Sequence, residues 1–286
     1  MVTRNVALIS ETTQVSFSQL SRVAAAIQKQ ATDDLAPLWS VSASVHAFNS
    51  LEDKPLGFWP VLLRDNIPYQ AEGIHLDKNK RPYALVMVDN DEWSLTVSHE
   101  TLEMLVDPYG NRLTVGQSPK NTQGNVEFLV EVCDPCEDSS FAYEVNGFTG
   151  IKLSDFYTPH YFDPTTTPGT RYSVTGAITQ PRQVLKGGYL SWFLPSDNSL
   201  WQETYFGTSP EIGQPTGFKG VVKETIRTTV DSLAHADHRM SQHAARKAGT
   251  GAKAMAAAAA GDGSARNIAK SLHDDIEKVI AETKQK

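Results

Sequence analysis

His99, Glu100 and Glu103 are the residues of this chain whose types and spacing could do chemistry. On a helix, His99 and Glu103 stand one turn apart on the same face, while Glu100 points about a quarter turn aside. An imidazole nitrogen and a carboxylate oxygen so placed can share a divalent cation, and a carboxylate beside them can take a proton from a water at that cation. Leu95, Leu102 and Val106 form an adjoining apolar strip, so the pair lies where a buried face meets a charged flank. An ordinary amphipathic helix would carry the same three residues, and the surrounding elements must decide.

The helix is entered through Asp89-Asn90-Asp91 and stopped by Asp107-Pro108, since proline cannot continue it. Before it, residues 6–9 read as a short buried strand and residues 17–39 as a helix, with Leu20, Val23, Ala24, Ile27, Ala31 and Leu38 near helical spacing. Residues 40–48 alternate as a strand, 60–65 form another short apolar run, 66–74 look irregular, 77–80 form a polar turn, and 83–88 form a further strand. The order is β-α-β-β-β-α. After the helix, residues 126–134 alternate again and carry Glu131 and Asp134. Further ligands must come from beyond the helix, because a straight helix sets Asp107 about 12 Å along the axis from His99, at roughly 1.5 Å per residue.

His99-Glu100-x-x-Glu103 resembles the H-E-x-x-H helix of zinc metallopeptidases. With Asp107-Pro108 and Glu131-x-x-Asp134 following it, the chain is similar to a zincin-like group with a variant H-E-x-x-E helix. The resemblance implies Zn²⁺ held by His99, Glu103 and Glu131, with Glu100 as general base and Asp134 or Asp107 orienting His99. It also implies a peptide or protein substrate, with residues 73–88 supplying an edge strand beside the cleft. Glu103 is the departure: a carboxylate in place of the second histidine lowers the charge of the site by one and removes a nitrogen donor. The implied fold is α+β: a zincin-like mixed twisted sheet with its active-site helix over residues 1–165, a β-rich extension and linker over 166–220, and a helical, alanine-rich tail over 221–286. In the extension, 172–179, 182–185, 188–194 and 200–205 read as strands.

The aromatic-dense segment 141–163 offers His160 and Tyr161 as an oxyanion donor or an alternative ligand; a loop packed by its own aromatics accounts for it equally. In the tail, Ile268, Leu272, Ile276 and Ile280 recur at four-residue intervals on a helix too poor in apolar area to stand alone. His235, His238 and His243 read as solvated helix-face residues. The tail is therefore expected to dock on a partner, on a second copy or on the body itself, and a catalytically inactive assembly protein is the alternative to the peptidase. Cys133 and Cys136 form one C-x-x-C among acidic residues, expected to be a reduced pair or a local disulfide and no redox centre.

The chain has 286 residues, of which 40% are hydrophobic and 21% charged, which suits a globular protein and excludes the disordered and fibrous classes. Its net charge of −7 is uneven, because residues 219–286 carry 12 Lys and Arg against 8 Asp and Glu. Those basic residues are scattered among alanines without interleaved aromatics, so no nucleic-acid partner is expected. No apolar run reaches the length of a signal peptide core or a membrane span. The expected location is the cytoplasm, with signal-independent export left open.

Overall fold

A computed structural model describes residues 3–69, 71–89 and 92–215, together with residues 273, 274, 276–278 and 281. The chain opens with β1 (Thr3–Ser10), followed by α1 (Phe17–Gln30), a wider helical turn over Ala31–Leu35 and a last turn, α2 (Ala36–Trp39). Ser16 starts α1 through a reciprocal capping box with Gln19. Then come β2 (Ser42–Phe48), β3 (Phe58–Arg64), β4 (Gly73–Lys78), β5 (Arg81–Met87) and the motif helix α3 (Trp93–Val106). The five strands form one sheet in the order β2-β1-β3-β5-β4. All neighbours are parallel except β4, which runs antiparallel to β5 at the edge.

Both faces of this sheet are covered, which is why its central strands read as unbroken apolar runs. Val6, Leu8, Val61, Leu63, Ala84 and Val86 belong to the core that also contains the buried residues of α1 and α3. Ala7, Ile9, Leu62, Leu85, Ile74 and Leu76 belong to a second core, which Ile276 of the C-terminal segment completes. Glu277 pairs with Arg64 of β3 at 2.8 Å. The other tail residues named above lie outside the described residues, His235, His238 and His243 among them.

The described residues of 66–72 are irregular, as expected, and β4 begins at Gly73, with the β4–β5 hairpin turning at Asn79-Lys80 within the expected polar turn. Lys78 pairs with Arg81, and Asn79 and Lys80 between them both take positive φ, at 53° and 61°. That is the two-residue turn whose twist matches paired strands, built without glycine. α3 is also more deeply placed than an amphipathic helix. Every residue from Val97 to Val106 is buried, because the sheet lies on one side and the second half of the body on the other.

The second sheet is antiparallel, in the order β10-β9-β8-β7-β6, from β6 (Leu113–Gln117), β7 (Asn125–Leu129), β8 (Tyr189–Leu194), β9 (Ser199–Thr204) and β10 (Glu211–Gly213). Because β7 pairs with β8, strands on both sides of the expected boundary at 165 share one sheet. Residues 172–179 and 182–185 form no strand. Their backbone bonds go instead to loop partners: Thr158 N–H to Tyr172 O, Val174 N–H to Phe156 O, and Thr175 N–H to the Asp155 carboxylate. Among the described residues no helix is long and apolar enough to cross a membrane.

Candidate metal centre

The turn that leaves β7 folds back onto α3 and brings Asp134 to the motif. His99 Nε2 lies 3.2 Å from Glu103 Oε2 and 3.3 Å from Asp134 Oδ1. The Cys133 N–H donates to Glu103 Oε1 at 3.0 Å, so the same turn aims one oxygen of Glu103 away and leaves the other facing His99. The turn is fixed by its own backbone: Cys136 N–H donates to Cys133 O and Leu185 N–H to Pro135 O, both at 2.9 Å, while Tyr157 N–H donates to Val132 O at 2.8 Å. It also crosses Gly188, where a Cβ would stand 2.6 Å from Asp134 O. A glycine is needed there for the backbones to approach.

The expected ligands thus divide. His99 and Glu103 come together, and the third ligand atom in reach is on Asp134: these three residues offer atoms within 4.8 Å of one another and are all buried. Glu131 is buried too, yet it belongs to neither ligand cluster found among the described residues. Asp107, at the end of α3, binds other groups. Its carboxylate accepts the Arg112 N–H at 2.6 Å and its carbonyl accepts His75 Nε2–H at 2.8 Å. His160 is exposed and bound to Asp163 at 2.9 Å. It lines a separate cavity of about 510 Å³ with Asp33, Asp34 and Arg171. The Tyr161 hydroxyl donates to Gln183 O at 3.2 Å.

Two residues absent from the sequence expectations belong to the neighbourhood. His75, fully buried on β4, sets Nδ1 at 3.8 Å from Glu100 Oε2 and 3.9 Å from Glu103 Oε2. The strand alternation Gly73, Ile74, His75, Leu76, Asp77 is the signal that could have found it, since it turns His75 toward α3 and Ile74 and Leu76 to the other core. Tyr157 stacks on Tyr161, with ring centroids 4.3 Å apart, and its buried hydroxyl has no hydrogen-bond partner among the described residues. Burial, Tyr161 and the nearby carboxylates of Glu131, Glu103 and Asp134 push its pKa well up, so it stays a donor.

The electrostatics favour a cation. Burial alone would lower the His99 pKa, but Glu103, Asp134 and Glu100 outweigh it and hold the imidazole well above its ordinary value. The same carboxylates would attract a divalent ion, which must displace that proton before His99 can ligate it. Glu100, Glu103 and Asp134 are buried carboxylates close to His99 or His75, a donor set rich in hard oxygen and imidazole nitrogen. The 3.2 and 3.3 Å separations match donors around one zinc, which stand about 3.3–3.6 Å apart at tetrahedral bonds of about 2.0–2.2 Å. The residues fit the ion. Cys133 and Cys136 are free thiols whose pKa values burial pushes well up, and neither belongs to a ligand cluster among the described residues.

Compared with protein-family models, curated proteins and solved structures, the chain matches none. The functional reading therefore rests on the geometry of this centre.

Proposed function

We propose that the chain is a zinc-dependent, peptidase-like hydrolase on a zincin-like scaffold, with His99, Glu103 and Asp134 as metal ligands and Glu100 as general base. The observation that carries this reading is the convergence of His99 Nε2, Glu103 Oε2 and Asp134 Oδ1 from a helix and a turn far apart in sequence. When bound, zinc lowers the pKa of a water and polarises a carbonyl. Glu100, one residue from His99 and pointing toward β4, takes the proton of the attacking water and returns it to the leaving amine. Tyr157 O–H is the donor available to the developing oxyanion. β4 is a sheet edge beside α3, a place where an extended peptide can add as a further strand, which supports a peptide substrate.

Metal content by mass spectrometry, measured after dialysis, tests the reading together with hydrolysis of peptide libraries. Wild-type protein should retain near-stoichiometric zinc, and His99→Ala should lose zinc and hydrolysis together. Glu100→Gln should keep zinc and lose hydrolysis at least about a hundredfold, the usual scale for a general base. Proteolysis retained by Glu100→Gln overturns the mechanism.

Deep burial favours one second reading, a catalytically silent ion that staples the 130–136 turn to α3: the His99 side chain is only 11% exposed. Zinc without hydrolysis in the wild type, and a large loss of thermal stability on chelation, would select it.

A further inference from the structure

His75, Glu100 and Glu103 form a second cluster of ligand atoms within 4.8 Å, sharing Glu103 with the first. We propose that this cluster is a second divalent-cation site, weaker than the first, whose filling withdraws Glu100 from proton transfer and makes excess zinc an inhibitor. The inference rests on the preceding reading in taking Glu103 as a ligand and Glu100 as the base.

The orientation of His75 is the main support. Its Nε2 lies 2.8 Å from the Asp107 carbonyl, which can only accept, so the proton is on Nε2. The lone pair of a neutral His75 is then on Nδ1, the atom facing both carboxylates. Metal-bound histidines are held in this way, with the second nitrogen donating to a backbone carbonyl. At 3.8 and 3.9 Å the Nδ1–carboxylate separations are too long for hydrogen bonds and wider than a tetrahedral edge of about 3.3–3.6 Å. They lie below the length of two zinc–ligand bonds, about 4.0–4.4 Å, so an ion can span them once the side chains close in by roughly a few tenths of an ångström.

The strand is built to permit this. Gly73 lies on the same face of β4 as His75, and a Cβ there would stand 2.5 Å from Glu100 Oε1 and 2.7 Å from Thr96 Cγ2. The missing side chain is what lets Glu100 lie against β4 beside His75. The nearby guanidiniums of Arg4 and Arg112 point elsewhere, to the carbonyls of Leu105 and Val106 at the end of α3. The order of filling follows from the shared ligand. A second ion beside Glu103 is repelled by the first and finds part of that carboxylate's charge already used. A Glu100 bound to an ion cannot accept a proton.

Zinc titration of the metal-free full chain, followed by native mass spectrometry and calorimetry, tests the site without reference to activity. Wild-type protein should bind two equivalents, the second at least about tenfold weaker. His75→Gln should bind one, because glutamine can keep a donor on Asp107 O while removing the Nδ1 ligand. Hydrolysis should fall as the second equivalent is added to wild type and should persist in His75→Gln. One equivalent in the wild type overturns the proposal whatever the variant does, and is the result expected if His75 is only a charged neighbour of Glu100 and Glu103. Two equivalents without hydrolysis keep the second site and overturn the hydrolase; hydrolysis with one equivalent does the reverse.

Discussion

Glu100 lies in the space left by the missing side chain of Gly73. Gly73→Ala would put a methyl group into the Glu100 carboxylate, with the α3 backbone behind it and little room to give. Overpacking of this kind costs about 1–3 kcal/mol, which denaturant unfolding will read as a lower midpoint at unchanged slope. Glu203 on β9 provides a pH-dependent test away from the centre. Burial raises its pKa from 4.5 to about 6, so the folded state holds the proton more tightly than the unfolded chain does. Its charge therefore weakens the fold above pH 6, and the deficit disappears as pH falls toward 4.5. Glu203→Gln is expected to raise stability at pH 8 by on the order of 1 kcal/mol, since this carboxylate keeps partial access to water, with no difference below pH 4.5. Thermal melts across that range will check the sign.

At the level of elements, α3 is held from the side by a closed polar triangle in the core. Ser98 Oγ donates to Gln30 Oε1 at 2.8 Å, Gln30 Nε2 donates to Ser154 O at 2.9 Å, and Ser154 N–H donates back to Ser98 Oγ at 3.1 Å. It ties α1, α3 and the loop after β7 together, and Gln30 and Ser98 are both fully buried. Ser98→Ala would leave the Ser154 N–H and Gln30 Oε1 short of a partner, at about 1–3 kcal/mol by denaturant unfolding. Periodicity showed α1, the central strands and α3 in the sequence, because apolar spacing reports burial directly. It also showed His99 and Glu103, whose spacing is a property of one helix. Asp134 was legible as a carboxylate orienting His99, but choosing between it and Glu131 as the third ligand requires the path of the turn in space. The turn at 77–80 was legible, but His75 was missed because the alternation of Gly73–Asp77 that turns it toward α3 lies in a stretch read partly as irregular. The spacing of His99, Glu100 and Glu103 suggested a cation and a base, whereas zinc and a peptide substrate were legible only by resemblance.

Over the whole molecule, the C-terminal segment lies against strands from the first third of the chain. Ile276 is fully buried there, whereas the Arg64–Glu277 pair leaves Glu277 nearly half exposed. The apolar contact should dominate: Ile276→Ala is expected to cost about 2–4 kcal/mol, while Glu277→Gln should cost under about 1 kcal/mol. Unfolding midpoints of the two variants, with and without added salt, will separate the contributions. The same contact has a consequence during synthesis. Leu62, Ile74, Leu76 and Leu85 are made nearly two hundred residues before Ile276, which at about 5–20 residues per second is on the order of ten to forty seconds. For that interval the nascent chain carries an apolar sheet face whose Ile276 cover has not yet been translated, so a ribosome stalled late in the message leaves a sticky intermediate, a client for chaperones until the last helix arrives.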